Sequence, residues 1–290
     1  MNNVVRRDRE SARFDSWTVP GAPKHALWIH ETTNSLYVVG EERSAGSPAA
    51  YLSAIATAAD GQSFVRELDV PTADSASDWL NFEATFVGNH LSFGATKSTW
   101  NRETLHVISE LLSFQIAEPT SFGQRRSLRH AIERIERLGD SGFIAIGESR
   151  DELVFSSFDA PDVSRRRGTL RFRASRQQDM RTHAFFFRKD RDGGGLLGFP
   201  TVSLAERSDS IAAASHVTLV RIEPDFSLSS AGTLKTNSKP PTACEDSCVD
   251  WYGNSRPVFF SGRVFALLGN ELVEGSASAG QVRELTRVGW

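Results

Sequence analysis

A repeating unit of about 50 residues constrains the fold of this chain more than any other feature of its sequence. Five short apolar runs each end in a glycine, and successive glycines are 54, 53, 51 and 71 residues apart. A period of this length is typical of propeller repeats. The last interval is longer because a loop at residues 237–250 is inserted. The five glycines are Gly40, Gly94, Gly147, Gly198 and Gly269.

The last repeat predicts the form of the unit most clearly. Its β-type runs are joined by Ser261-Gly262, by Gly269-Asn270 and by a loop of small residues. Gly and Asn adopt the positive φ angles of tight hairpin turns, so these joints favour antiparallel pairing of neighbouring runs. Four antiparallel strands in a meander form one propeller blade. The four runs are 257–260, 264–268, 271–273 and 282–285.

The same pattern predicts an all-β protein, a β-propeller of four-stranded antiparallel blades. Residues 1–23 form a polar lead-in and residues 24–290 the propeller domain. The inner runs are continuously apolar, as expected for strands buried on both faces, and the third and fourth runs alternate. The chain forms either a closed small ring or the C-terminal arc of a larger propeller. We expect about five blades, at 24–71, 79–118, 129–175, 182–236 and 252–290.

One segment fits two structures. Residues 127–137, SLRHAIERIER, have apolar side chains at 128, 131, 132 and 135, which is a helical spacing. The run at 132–138 fits the first strand of the third blade equally well.

In the second blade, we expect 104–109 and 112–116 to be the third and fourth strands.

Composition excludes some classes of partner. The formal net charge is −3, which gives no reason to expect binding to nucleic acid or to an anionic membrane. No apolar run reaches the ~20 residues of a membrane-spanning helix, and the N-terminus has no apolar core of a signal peptide. We therefore predict neither a nucleic-acid partner nor a membrane-spanning segment.

Four segments, in this order and at this spacing, resemble a known family. They are RLGDSGFIAIG at 137–147, LVFSSFDA at 153–160, THAFFF with LLGFP at 182–200, and SRPVFFSGRVFALL at 255–268. Together they resemble the C-terminal part of the secreted β-propeller domain proteins of bacteria and archaea, which are distant relatives of the tryptophan-aspartate-repeat propellers. The match covers roughly residues 80–290.

The resemblance implies an extracellular or periplasmic protein and brings no catalytic residues. The chain departs from the family in lacking N-terminal blades and a signal peptide, and in having Thr182-His183 where the family tends to have Asp-His. We expect it either to be complete or to be an N-terminally truncated fragment.

Three residues are candidates for ligand binding. His130 and His183 lie near the starts of inner strands, where side chains from different blades can converge to bind a metal or act as a base. Arg256, at the entry of the last blade, can hold an anion. Each also has a structural interpretation, as a hydrogen-bonded core histidine or as an ion-pair partner between blades.

The two cysteines, Cys244 and Cys248, lie in the inserted loop. In an oxidising compartment a local disulfide is favoured over free thiols. A metal site is disfavoured because two thiolates without a nearby histidine are too few for structural zinc. Residues 190–195, with Asp190 and Asp192 before three glycines, are interpreted as a plain turn rather than a calcium loop. We predict no metal and no cofactor.

The favoured function is a non-enzymatic binding or interaction scaffold at the cell envelope, with an unknown ligand or protein at the propeller face. The alternatives are a propeller hydrolase or lyase, or a metal-binding propeller, with a site at the mouth of the channel. Three or more titratable side chains converging there would favour these alternatives.

Overall fold

A computed structural model describes eleven stretches of the chain. These residues form 23 strands, and the one helical element among them is a 3₁₀ turn at Ala26–Trp28. In this part of the chain, no helix has the length and apolar character needed to cross a membrane. The described residues are 2–7, 14–43, 48–61, 63–69, 78–101, 104–118, 123–177, 184–203, 215–237, 255–278 and 280–289.

The chain divides into two compact units. The first comprises Met1–Phe143 with Ala160–Ser164, and the second comprises Ile144–Asp159 with Arg165–Trp290.

The first unit begins with an antiparallel hairpin of β1 (Asn2–Arg7) and β2 (Phe14–Val19). Val19 packs in a small core whose buried members include Leu36 and Val38, and Val4 and Trp17 pack against this core. Residues 1–23, predicted as a polar lead-in, thus contain two strands.

Two sheets follow the hairpin, and each is a four-stranded antiparallel meander in which neighbours along the chain are neighbours in the sheet. The strands of the first sheet are β3 (Ile29–Glu31), β4 (Ser35–Glu42), β5 (Ala49–Ala56) and β6 (Phe64–Leu68). Those of the second are β7 (Asp78–Val87), β8 (His90–Asn101), β9 (Thr104–Gln115) and β10 (Gln124–Leu128).

Three further sheets follow, and the fourth has its first position divided between two short strands, which both pair with its long central strand. The third sheet contains β11 (Arg134–Leu138), β12 (Gly142–Ser149), β13 (Glu152–Asp159) and β14 (Arg166–Arg173). The fourth contains β15 (Ser175–Gln177), β16 (Phe186–Lys189), β17 (Gly195–Ser203), β18 (Ser215–Ile222) and β19 (Leu228–Lys235). The fifth contains β20 (Arg256–Phe260), β21 (Arg263–Leu268), β22 (Glu271–Ser278) and β23 (Gln281–Gly289).

The predicted fold class, an all-β propeller of four-stranded antiparallel blades, is confirmed. Each predicted blade corresponds to one of the five sheets, in the same order. The cores lie between successive sheets: Trp28, Phe82 and Phe93 are fully buried in the first unit, and Val217 and Val264 belong to one core of the second.

The predicted strand division of the second blade is wrong. Residues 104–115 form one 12-residue strand, β9, and the fourth strand of this sheet is β10. The intervening Glu110-Leu111 contains no Gly, Pro or Asn, so nothing in it favours a turn. The blade therefore extends to residue 128.

The helical interpretation of residues 127–137 is also wrong. Leu128 ends β10 and Arg134 begins β11. Between them, the backbone of Ile132 is bound by side chains of the second sheet: its N–H donates to Thr96 Oγ1 (2.7 Å), and its carbonyl accepts from Asn81 Nδ2 (2.9 Å). These tertiary hydrogen bonds replace those that a helix would supply.

The expected alternation holds for some outer strands but not for the third strands. The fourth strand β14 alternates between exposed and half-buried positions, whereas β13 is buried at six consecutive positions. In β18, Thr218 is polar but buried. Its hydroxyl lies 2.7 Å from that of Thr201, so the buried hydroxyl still has a hydrogen-bond partner. A polar residue whose hydrogen bond is satisfied inside the sheet does not mark a solvent face.

Candidate functional site

A group of charged side chains converges in the first unit, next to the first strands of the second and third sheets. The 3₁₀ turn packs against β7, and β7 packs against β11. We call this group the charged cluster. Its members are Lys24, His25, Asn81, Glu83, Arg134 and Glu136.

Local sequence places these residues together. Asn81 and Glu83 are two positions apart on β7, and Arg134 and Glu136 are two positions apart on β11. Residues at positions i and i+2 of a strand lie on the same face. Each strand therefore presents a pair of polar side chains on one face.

Lys24 is the best-connected member of the cluster. Its ammonium donates to Asn81 Oδ1 (2.9 Å), to the carbonyl of Phe82 (3.2 Å) and to Glu83 Oε1. An ammonium has three N–H donors, so all of them are used. Its side chain is 30% exposed and that of Glu83 only 5%, so the charge of a buried carboxylate is balanced by a lysine that still reaches solvent.

His25 adds a second contact to the same carboxylate, since its Nε2 lies 3.4 Å from Glu83 Oε2. Its ring stands edge-on to that of Trp28, with the centroids 5.8 Å apart. Within the described part of the chain, His25 Nδ1 and Trp28 Nε1 are both buried and make no hydrogen bond. Two buried ring nitrogens at this site therefore have no hydrogen-bond partner among the described residues.

The second ion pair joins Arg134 and Glu136, with Nη1 2.6 Å from Oε1. Their side chains are 5% and 16% exposed. Burial raises the pKa of Glu136, and the neighbouring charge of Glu83 raises it further, while the positive charge of Arg134, and of His25 whenever its ring is protonated, opposes this shift. Glu136 is therefore the carboxyl group of the cluster that takes up a proton more readily than an ordinary glutamate.

The cluster combines two features that differ chemically. Two cationic side chains, Lys24 and Arg134, balance two carboxylates, so its ion pairs leave no net charge to attract a charged ligand. The two ring nitrogens differ in their hydrogen-bonding character. With Nε2 as the donor to Glu83, Nδ1 of His25 is an acceptor, and the indole of Trp28 is a donor.

Comparison with known proteins assigns no family. No protein-family model and no curated protein matches the sequence. The solved structures that are similar at low identity include the following two. One is KlHsv2 with loop 6CD replaced by a Gly-Ser linker, with a TM-score of 0.46 and 10% identity, over 95% of this chain and 74% of that one. The other is the GH32 beta-fructofuranosidase BmSUC1 of Bombyx mori, with a TM-score of 0.34 and 8% identity, over 89% of this chain and 61% of that one.

These two likenesses assign neither a function nor a site. Their identities and TM-scores are too low to transfer a residue role. The charged cluster is therefore interpreted from its own chemistry.

Of the residues predicted from sequence, the structure describes two. His130 is buried, and its Nδ1 lies 2.7 Å from the carbonyl of Ala131, so its imidazole is bound to the backbone just before β11. Arg256 is half-buried at the first position of β20, opposite Leu267. His183, Cys244 and Cys248 lie outside the described residues.

Sequence reasoning missed the whole charged cluster. The sequence pattern indicates continuously apolar inner strands, although Asn81, Glu83, Arg134 and Glu136 interrupt or border two of them. The available signal was a polar residue followed two positions later by a glutamate, in both inner strands. Among the described residues, no three His, Cys, Asp or Glu side chains form a group that could hold a metal ion.

Proposed function

We propose that this protein is a non-enzymatic β-propeller that serves as a binding scaffold, and that the charged cluster binds a small neutral molecule carrying hydroxyl groups. The observation that supports this most directly is the pair of buried ring nitrogens, His25 Nδ1 and Trp28 Nε1, that have no partner in the described part of the chain. A buried polar atom without a partner costs free energy unless a ligand or water satisfies it.

The chemistry of the two nitrogens selects the ligand class. One is an acceptor and the other a donor, and a hydroxyl group provides both a donor and acceptor lone pairs. The compensated ion pairs of Lys24 and Arg134 favour a neutral ligand over a charged one. Neutral monosaccharides and polyols have this chemistry.

We also propose that the protein acts outside the cytoplasm, as an extracellular or periplasmic member of the secreted propeller proteins. The support is the resemblance of four segments in the same order as in that family. Antibody detection in fractions of the source cells tests this proposal, and a signal confined to the cytoplasm would contradict it.

The binding proposal is tested with Trp28→Phe, which keeps the buried ring and removes its N–H. A panel of neutral monosaccharides and linear polyols is titrated into the full chain by calorimetry. The best ligand should bind the variant about 2- to 12-fold more weakly, as expected for one lost hydrogen bond. Trp17→Phe, a matched change in the hairpin core, should leave binding unchanged. No binding by any member of the panel would overturn the proposal. Ordered water would then be the hydrogen-bond partner of the two nitrogens.

A second candidate function is a hydrolase, and the raised pKa of Glu136 favours it. A carboxyl group that holds its proton can serve as a general acid, and Glu83 supplies a second carboxylate in the same cluster. Nitrophenyl glycosides and esters are the substrates to test. Glu136→Gln should then lower kcat at least ~100-fold, whereas Glu42→Gln, on an exposed residue, should not. Absence of hydrolysis would end this candidate.

A further inference from the structure

A cavity of about 460 Å³ lies in the second unit, between residues of the fourth and fifth sheets. This volume is within the usual range for small-molecule sites. Its walls contain charged and polar side chains, namely Arg188, Arg221, Glu223 and Ser278. They also contain the apolar side chains of Leu196 and Val282.

Arg221 is held firmly in the wall of this cavity. Its Nη1 lies 2.5 Å from Asp190 Oδ2, its Nε 3.5 Å from Glu223 Oε1 and its Nη2 3.9 Å from Asp192 Oδ2. The hydrogen bond that Arg221 donates to Asp190 and the surrounding carboxylates raise the pKa of Arg221. Its charge is thus already satisfied by the protein.

Arg188 is held in place with most of its hydrogen-bonding capacity unused. Its guanidinium lies 5.3 Å from the centre of the Phe259 ring, and its Nη1 donates to the carbonyl of Gly262 at 3.3 Å. Its Nε is 3.7 Å from Asp190, which is beyond hydrogen-bonding distance. A guanidinium has five N–H donors, so the described residues satisfy only one of them. The side chain is 27% exposed.

The charges around the cavity restrict what can bind. Two guanidinium groups face three carboxylates, Asp190, Asp192 and Glu223, and the formal sum is −1. A ligand with only a negative charge would be repelled by Glu223, and a ligand with only a positive charge would be repelled by the two arginines. A molecule with one charge of each sign avoids both penalties. Glu223 is 46% exposed, so its carboxylate is accessible to a ligand.

We propose that this cavity binds a small zwitterion with an apolar side chain, of the class of the aliphatic α-amino acids. The carboxylate of the ligand forms a bidentate pair with Arg188, the geometry that guanidinium groups favour. Its ammonium group contacts Glu223, and its side chain packs against Leu196 and Val282.

The ligand test compares three molecules on the unmodified full chain by isothermal titration calorimetry: leucine, N-acetyl-leucine and leucine amide. N-acetylation removes the ammonium charge, and amidation removes the carboxylate. Each derivative should bind at least about tenfold more weakly than leucine, the ratio expected for a lost charge-assisted hydrogen bond. The proposal is wrong if leucine does not bind at millimolar concentration, or if either derivative binds as well as leucine.

Variants locate the site. Arg188→Gln should weaken leucine binding at least about tenfold and should remove the preference for leucine over leucine amide, a change that loss of stability alone would not cause. Arg191→Gln alters an exposed neighbour and should bind like the unmodified chain. Ala277→Trp places an indole in the cavity and should abolish binding. If Arg188→Gln or Ala277→Trp binds leucine normally, the site is not this cavity.

Discussion

Glycines at corresponding positions of the sequence repeat are needed for different physical reasons. A Cβ at Gly94 would lie 2.8 Å from Ile132 Cγ2 and 2.9 Å from its Cδ1, so glycine is needed there for close packing. Gly269, by contrast, has nothing within 4 Å of its Cβ position and has a φ of +62°, so it is needed for the turn.

This difference gives a prediction about stability. Gly94→Ala should destabilise the protein by about 1–3 kcal/mol, because the added methyl group overpacks the contact with Ile132. The free energy of unfolding in urea measures the effect. Gly289→Ala is the control, since its Cβ would meet only Asn270 O at 3.8 Å, and it should change stability by less than about 0.5 kcal/mol. Equal effects at the two glycines would contradict the packing explanation.

His30 should make stability depend on pH. Its ring stacks on Phe86 at a centroid distance of 5.1 Å, and burial together with the charge of Arg137 lowers its pKa from the ordinary value of 6.5. The unfolded chain therefore binds the proton at a higher pH than the folded chain. The stabilising contribution of the neutral His30 ring is therefore fully present above about pH 6.5, and this contribution is lost as the pH falls through the folded-state pKa.

His30→Phe, which keeps the ring and removes the titration, should lose less stability than the unmodified chain when the pH is lowered from 7 to 5. The two losses should differ by no more than about 1.4 kcal/mol per pH unit, the limit for one proton. Urea unfolding at both pH values gives the comparison. Because burial also lowers the pKa of His90, the variant should retain part of the dependence. An identical loss in both proteins would show that His30 does not contribute.

At the scale of elements, a threonine of the second sheet holds the segment that precedes β11. Thr96 Oγ1 accepts from the N–H of Ile132 at 2.7 Å and lies 3.0 Å from Ser109 Oγ. Thr96→Val keeps the shape of the side chain and leaves that buried N–H without its acceptor. We expect a loss of about 1–3 kcal/mol in the free energy of unfolding.

Thr169→Val is the matched control for this change. Thr169 lies on β14 and is exposed, so its substitution should leave stability within about 0.5 kcal/mol. If both variants unfold at the same urea concentration as the unmodified chain, the bond to Ile132 does not hold the junction.

The elements also show where the sequence was sufficient. Hairpins with Gly or Asn turns were predicted well, as at Gly269-Asn270 between β21 and β22. The segment before β11 was not, because its apolar spacing fits a helix and a strand alike. The hydrogen bonds between the backbone of Ile132 and the side chains of Asn81 and Thr96, which are distant in sequence, decide between the two structures.

For the whole molecule, the burial pattern predicts an order of local stability. The second and third strands of the third sheet, β12 and β13, are almost continuously buried, whereas the fourth strands β6 and β14 have one face at least partly open to solvent. Hydrogen exchange measured by mass spectrometry should therefore be slowest in β12 and β13 and faster in β6 and β14. Uniform exchange across each sheet would contradict this order.

The sequence alone determined the strand-rich class, the five-fold repeat and the order of the blades, because these depend on local properties: the period of apolar residues and the turn chemistry of Gly and Asn. The tertiary structure alone decided where β9 and β10 divide and which polar residues meet. Lys24, Glu83 and Glu136 are more than 50 residues apart along the chain, and only the packing of the 3₁₀ turn against β7 and of β7 against β11 brings them into one cluster. Likewise, the cavity beside Arg188 depends on residues nearly 100 positions apart, which no local pattern relates.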